Sequence, residues 1–507
     1  MLVYSQLRSI LNSGIALTTE KDRNKLYEML ISTAMSITNC DAGTLYLYKD
    51  NSLSFKIMKT LSQNVSRGEN GEEIDLPPVP LKEENVCAYA AIHRKLVNVP
   101  DVYHSTMFDF SGPKKYDSIT GYHTESMLVI PLMDAEETLV GVLQLINAID
   151  RGTGKVIPFD SEDEFVIRSL GSMAAVMILN AIYIEQIRSQ LHSFVNAFAT
   201  AVDERTPYNG EHTRKVTIYT GLLIDSLNER FKKGEQTDFF FEKKDRVQLL
   251  MAAALHDVGK MVVPLSVMNK DSRLGNRLED IQNRFELLAA YYDLDHYKGK
   301  ITDEEKLKEQ AFLKDSLEFI QRINKVGFLT DEDLARTVDI AGRAYCKPDG
   351  SKIPFLTAYE AECLSIRRGT LTDEERKIIQ SHVEMTKQIL EKVQFNKEYR
   401  DVIRLAVSHH EMLDGSGYPN HLKADQLDAG SRILAVTDIY DALTSADRPY
   451  KTPIPRPKAF AILKDMAKEG KLDGRLVNGL EIALSRFTDE EIKAITADRT
   501  HGFFKTV

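Results

Sequence analysis

Between Leu170 and Phe198 one row of residues recurs in steps of three and four: Leu170, Met173, Met177, Asn180, Ile184, Ile187, Leu191, Phe194 and Phe198. Only an α-helix puts such positions on one side. The row lasts about four heptads, enough for a coiled coil. At 507 residues the chain is too long for one ordinary core, and this helix separates a region before it from a region after it. Its 3.5-residue period favours a left-handed seam with a second helix, and Asn180 in that seam would fix register at a cost in stability. The alternative is packing inside the same subunit. Because the stripe joins two regions, the expectation is a homodimer through this helix.

The region before the stripe mixes element types. Leu26, Met29, Leu30, Thr33 and Ile37 have helical spacing. Residues 42–60 alternate Leu45, Leu47 and Leu53, Phe55, Ile57 around Lys49-Asp50-Asn51, which predicts a β-hairpin. Residues 126–150 predict a second strand pair. Helices beside an antiparallel sheet predict an α+β sensor-type domain. The region after the stripe is helical almost throughout. A charged segment at about 264–372, with Leu and Phe stripes, interrupts it and predicts a helical insertion, within which 347–354 is expected to be a loop.

A net charge of −10 argues against a bulk basic surface for a nucleic-acid polymer. Cys40, Cys87, Cys346 and Cys363 form no CxxC pair, which predicts free thiols in a reducing compartment. The first residues show no basic start followed by an apolar run, and the most apolar run, 173–184, is short and contains Asn180. The expectation is a cytoplasmic chain with no membrane span.

Histidines carry the chemical signal. There are 12, and five of those after the stripe lie with acids in helical contexts: His212; His256-Asp257; His382; His409-His410; Asp438. Asp438 sits in "ILAVTDIYDAL", a mostly apolar helix. A carboxylate buried there needs a partner, and a metal cation is the partner that also accounts for the histidines. Mixed imidazole and carboxylate donors suit iron, manganese, zinc or nickel. Seven donors are too many for one ion and suit two metals sharing a bridging carboxylate. Asp441, one turn after Asp438, reads as a structural acid. A lone histidine such as His382 is more often a satisfied surface or core residue, but chance does not readily place two doublets after apolar runs.

These segments resemble a known family. "LHDVGK" carries the His-Asp doublet of the HD phosphohydrolase superfamily. "HHEMLDGSGYP" is similar to the signature of its HD-GYP branch, "SRILAVTDIYDALTSADRPYK" to the next motif and "TPYNGEHTRKV" to the first. The resemblance covers about 192–460 apart from the insertion. It implies an all-α metal-dependent phosphodiesterase that hydrolyses a cyclic dinucleotide, chiefly cyclic di-GMP, to linear pGpG or GMP. By position it implies metal ligands His212, His256, Asp257, His382, His409, His410 and Asp438. Asp257 would bridge two divalent transition metals, with iron favoured over manganese, nickel or zinc. Lys260 would contact the scissile phosphate, and Arg448 and Lys451 would hold substrate phosphates. Gly415, Gly417, Tyr418 and Pro419 would form a loop beside the site. Three-metal members place a Glu four residues before the first histidine, where this chain has Tyr208. A phenol replaces a bridging carboxylate poorly, so two metals are expected, with Glu204 and Glu211 nearby at other spacings.

The order of elements in 20–185 resembles a GAF domain. Cyclic-nucleotide-binding GAF domains carry an NK…F…DE motif. Here Asn147, Phe159, Asp163 and Glu164 match it, but Ala148 replaces the lysine, so a small ligand such as a cyclic nucleotide is one reading and a bracing role the other. The expected architecture is an N-terminal helix (1–20), the GAF sensor (21–160), a connecting coiled coil (161–200), an HD-GYP domain (201–460) with its insertion, and C-terminal helices (461–507). Two other functions fit the residues. One is another HD-type nucleotide phosphohydrolase, against which the intact GYP loop argues. The other is a non-catalytic cyclic dinucleotide receptor, which would be expected to have lost ligands.

Overall fold

The computed structural model describes residues 20, 22–205, 211–445 and 453–497. The chain divides into two compact units, Met1–Gln190 and Leu191–Val507.

In the first unit, helix α1 (Arg23–Thr38) is capped by the Asp22 carboxylate, which accepts from the Asn24 and Lys25 N–H groups, and it ends at Asn39 in the left-handed region. Strands β1 (Cys40–Lys49) and β2 (Ser52–Thr60) form the expected hairpin. Asp50 and Asn51 both have positive φ, the conformation that a tight two-residue turn between right-twisted strands demands. Short strands β3 (Val65–Arg67) and β4 (Val79–Pro80) follow. Next come α2 (Val86–His93), β5 (Val97–Val99), α3 (Ser111–Thr120), the expected second pair β6 (Met127–Met133) and β7 (Leu139–Ile149), and β8 (Val156–Ile157). The sheet runs β3-β2-β1-β7-β6-β5, with β4 on β2 and β8 on β7. Its pairings are antiparallel. Alternation gives it two buried faces. Leu45 and Leu143 join Leu30 and Ile31 of α1 on one side, and Tyr46 and Val142 join Val86 and Ala90 of α2 on the other.

Helix α4 (Ser161–Asp203) is the long connecting helix. Ile167, Leu170, Ala174, Ala175 and Ile178 complete the first unit's core, and Val195, Ala199 and Val202 enter the core of the second. Most of the apolar seam is not used in this way. Ile184, Ile187, Phe194 and Phe198 are 52%, 63%, 66% and 53% exposed. The apolar segment is also longer than the 173–184 run implied. An 18-residue window of α4 has a mean hydropathy of 1.8, long and apolar enough to cross a membrane by length and composition alone, with 33% of it buried. The burial of its apolar residues in a protein core accounts for part of that composition.

The second unit is mostly helical. It contains α5 (His212–Lys232), α6 (Lys243–Leu255), a 3₁₀ turn (Val258–Met261), α7 (Leu265–Met268), α8 (Leu278–Tyr297), α9 (Asp303–Lys325) and α10 (Asp331–Ala341). Strands β9 (Ala344–Cys346) and β10 (Lys352–Pro354) pair with each other, so residues 347–354 belong to a small hairpin rather than to a plain loop. Then follow α11 (Ala358–Leu364), α12 (Asp373–Gln380), α13 (His382–Leu390), α14 (Val402–Ala406), α15 (Ala429–Thr444), α16 (Arg456–Lys468), α17 (Gly474–Ser485) and α18 (Asp489–Ala497). Val216, Leu223, Leu249, Leu405, Ile433, Val436, Phe460 and Leu480 form the main core. The C-terminal helices α16 and α17 thus share one core with the histidine-bearing helices. The insertion has a separate core around Ile281, Phe285, Ile320 and Phe355. Its root is pinned to α12. Buried Lys270 Nζ donates to both Glu375 oxygens at 2.9 and 2.8 Å, and the Tyr359 hydroxyl donates to Glu375 at 2.6 Å.

Candidate metal centre

Four helix ends bring the histidines together. His256 ends α6, His212 opens α5, His382 opens α13, and His409-His410 follow α14. Asp438 lies within α15. In three of the histidines, Nδ1 meets the carbonyl three residues back: His256 to Ala253 at 2.7 Å, His382 to Ile379 at 2.7 Å and His409 to Ala406 at 2.6 Å. A carbonyl only accepts, so Nδ1 carries the proton and Nε2 keeps a bare lone pair. At His212 the Nδ1 donates instead to a carboxylate, Asp441 Oδ2, at 2.6 Å. That contact gives Asp441 the structural part expected for it.

The Nε2 atoms converge on Asp257, which is 1% exposed. Asp257 Oδ2 lies 3.4 Å from His212 Nε2 and 3.2 Å from His256 Nε2. Oδ1 lies 3.4 Å from His382 Nε2 and 3.9 Å from His409 Nε2. Asp438 Oδ1 is 3.2 Å from His212 Nε2, and its Oδ2 is 3.6 Å from His410 Nδ1. Two groups of potential metal donors result, His212–His256–Asp257 and His382–His409–His410. Each oxygen of Asp257 faces one group, the disposition a bridging carboxylate requires.

The donor chemistry fits cations. His256 Nε2 and Asp257 Oδ1 are buried without a hydrogen-bond partner, and burying polar atoms unsatisfied is costly. Burial, reinforced by neighbouring imidazoles, holds His409 well below the usual histidine range, and burial brings His410 down to about 4. Burial lowers His382 as well. Such rings are neutral near pH 7, the form that ligates. Burial opposes charge on His212, but Asp257, Asp438 and Asp441 override it and raise that group. Burial likewise disfavours the Asp257 and Asp438 carboxylates. The histidines around both, together with Lys260 beside Asp257, outweigh it and keep them ionised. Lys260 Nζ donates to Asp257 Oδ2 at 2.5 Å.

The signature loop stands beside this cage. The Tyr418 N–H donates to the His410 carbonyl at 3.1 Å, and its ring centroid lies 4.7 Å from that of His410. Gly415 has φ +81°, which favours glycine. A Cβ on Gly417 would fall 2.5 Å from the His410 carbonyl oxygen. Pro419 follows Tyr418 through a cis peptide bond. Glu411, 2% exposed, closes the loop by accepting from the Asn420 and Leu422 N–H groups at 2.7 and 2.9 Å. Glu411→Gln loses one of these two acceptors and turns an NH₂ toward a buried donor. The loop should loosen at a cost of about 1–3 kcal/mol, while metal content stays at the wild-type value. Thermal denaturation with elemental analysis checks both.

Tyr208, Arg448 and Lys451 lie outside the described residues. Glu204 is exposed and Glu211 pairs with Lys215 at 3.1 Å. Sequence reasoning passed over Thr386, whose hydroxyl donates to the His256 carbonyl at 3.0 Å and accepts from Gly259 N–H at 2.9 Å. No local pattern marks it. Glu411 was visible inside the signature, but its loop-closing contacts were not. In the first unit, the Asn147 amide is fully engaged, accepting from Glu125 and Ser126 N–H and donating to the His123 carbonyl and Tyr122 hydroxyl. Phe159 is buried, and its carbonyl and the Glu164 carboxylate both accept from Asn98. Asp163 accepts from Asp160 N–H at 3.2 Å. These contacts are braces within the fold.

Residues 359–476, which carry His382, His409, His410 and Asp438, match the HD domain model. Residues 22–178 match the GAF domain model. The chain therefore carries a GAF domain followed by an HD domain. It is 24% identical over 300 residues to 3'3'-cGAMP-specific phosphodiesterase 3 of Vibrio cholerae, covering 59% of this chain and 40% of that one. It is 32% identical over 169 residues to the cyclic di-GMP phosphodiesterase response regulator RpfG of Xanthomonas campestris, covering 32% and 42%. It is 37% identical over 111 residues to a cyclic di-GMP phosphodiesterase of Thermotoga maritima, covering 21% and 28%. The chain thus spans less than half the length of each of these relatives.

Proposed function

We propose that this chain is a metal-dependent phosphodiesterase that opens a cyclic dinucleotide, cyclic di-GMP above all, to linear pGpG or GMP. The observation that carries the reading is the Asp257 carboxylate, buried with one oxygen toward each of two histidine groups. His212 and His256 would hold one divalent transition metal and His382, His409 and His410 a second, with Asp257 shared and Asp438 beside both. Iron is favoured, with manganese, nickel or zinc as the other candidates. When bound, such a pair acidifies water and offsets negative charge on phosphoryl oxygens.

The protein's own groups do the rest. The Nδ1 hydrogen bonds fix the rings of His212, His256, His382 and His409 so that little reorganisation is needed as charge develops. Lys260 adds a positive charge beside the cage, placed to offset charge on a phosphoryl oxygen. The Tyr418 ring covers His410 and shields that side from water. Arg448 and Lys451 are proposed to hold substrate phosphates. The Xanthomonas and Thermotoga relatives are named for cyclic di-GMP, which supports that substrate. The Vibrio relative, matched over 300 residues, is named for 3'3'-cGAMP and supports a second reading in which the mixed dinucleotide is preferred. The ratio of kcat/KM for the two substrates, from product chromatography with anoxically purified protein, decides between them. A ratio above one for cyclic di-GMP upholds the first reading, and a ratio below one establishes the second.

We also propose a homodimer through α4. Ile184, Ile187, Phe194 and Phe198 recur at helical spacing and are each more than half exposed, and a row of that kind gains by facing a second copy. Ile187→Glu combined with Phe194→Glu is expected to give a monomer in sedimentation velocity, where the wild type sediments as a dimer. A monomeric wild type overturns the proposal.

A further inference from the structure

The last turn of α4 contacts the residue that follows His212. Val195, Ala199 and Val202 seat it in the main core. Its final residue, Asp203, is 5% exposed. Asp203 Oδ1 accepts from the Thr213 hydroxyl at 2.6 Å and from the Thr213 N–H at 3.3 Å. Thr213 directly follows His212, so the carboxylate ending one helix satisfies a donor in the first turn of the next. That turn needs it. The first N–H groups of a helix have no intrahelical acceptor, and Glu211, in the capping position of α5, makes no side-chain cap. Two residues further on, Arg205 Nη2 donates to the Val263 carbonyl at 3.1 Å, and Val263 N–H donates to the Lys260 carbonyl at 3.2 Å. One short segment therefore grips the chain beside His212 and the chain just past Lys260. His212 is held on two sides, its ring by Asp441 and the residue that follows it by Asp203.

We infer that Asp203 is a positioning residue for His212, through which the end of the connecting helix sets the geometry of the cage; this rests on the cage being the hydrolytic site. The carboxylate acts by accepting hydrogen bonds and touches neither metal nor substrate. A shift of the last turn of α4 would move the start of α5 and the segment behind Lys260 together.

The test compares Asp203→Ala, Asp203→Asn and Thr213→Val in the full chain. Each is measured for metals per chain by elemental analysis and for kcat and KM with cyclic di-GMP. Asp203→Ala is expected to lower kcat about tenfold or more, the scale on which groups supporting a metal ligand act, and to retain less metal after dialysis. Asp203→Asn keeps an oxygen acceptor and restores both. Thr213→Val, which keeps the N–H and loses the hydroxyl, falls between them and supplies the result if the alanine variant does not fold. Asn as damaging as Ala would overturn the inference, because the charge itself would then matter. So would wild-type metal retention and kcat in both Asp203→Ala and Thr213→Val. A wild type that binds metal but leaves the dinucleotide intact refutes the catalytic reading alone, and metal retention still reports on Asp203.

Discussion

Asp257→Ala is expected to empty the cage of metal and to lower kcat for cyclic di-GMP by at least about a thousandfold, the upper scale seen when one electrostatic stabiliser is lost. The reason is positional. Asp257 offers one oxygen to each histidine group, Oδ2 toward His212 and His256 and Oδ1 toward His382 and His409. Its loss also frees Lys260, whose ammonium it holds at 2.5 Å. Asp257→Asn keeps the shape but loses the charge and one lone-pair donor, so it should resemble alanine in activity while folding like the wild type. Circular dichroism and elemental analysis of both variants separate loss of fold from loss of metal. Wild-type turnover in either variant would remove Asp257 from the mechanism.

Gly259→Ala should be nearly as damaging, although Gly259 bears no functional group. A Cβ there would lie 1.9 Å from the His382 carbonyl oxygen and 2.5 Å from the Thr386 nitrogen. Backbone atoms cannot yield as a flexible side chain can. The 3₁₀ turn carrying Lys260 and the start of α13 must therefore separate, and Thr386 can no longer bridge Gly259 N–H and the His256 carbonyl. Displacements of about 1 Å cost activity on the order of a hundredfold, and overpacking costs about 1–3 kcal/mol of stability. A lower melting temperature together with kcat reduced by about that factor is the expected outcome. Unchanged kcat would show that this close approach does not hold the site.

What could be read from the sequence follows from where the information lies. The β1–β2 hairpin was legible because alternating Leu45, Leu47, Leu53 and Phe55 flank a turn at Asp50-Asn51, a wholly local signal. The long helix was legible from its apolar period. The cage was legible because its donors fall in doublets on apolar helices, even though His212 and Asp438 are hundreds of residues apart and meet at 3.2 Å. The supports of the cage were not. Asp203, Thr386 and Glu411 act on backbone groups brought near by folding, and no periodicity marks a residue whose partner is a distant N–H or carbonyl. The β9–β10 hairpin was missed for a related reason, since three-residue strands around Lys347-Pro348-Asp349-Gly350 leave too little alternation to detect.

We propose that a two-metal cage around Asp257 hydrolyses a cyclic dinucleotide. The most direct test is a single-turnover reaction with cyclic di-GMP, using anoxically purified full chain whose metal content has been determined on the same sample. Two metals per chain and conversion of the substrate to linear pGpG or GMP are expected. Intact cyclic di-GMP and 3'3'-cGAMP after incubation with protein carrying two metals would contradict it.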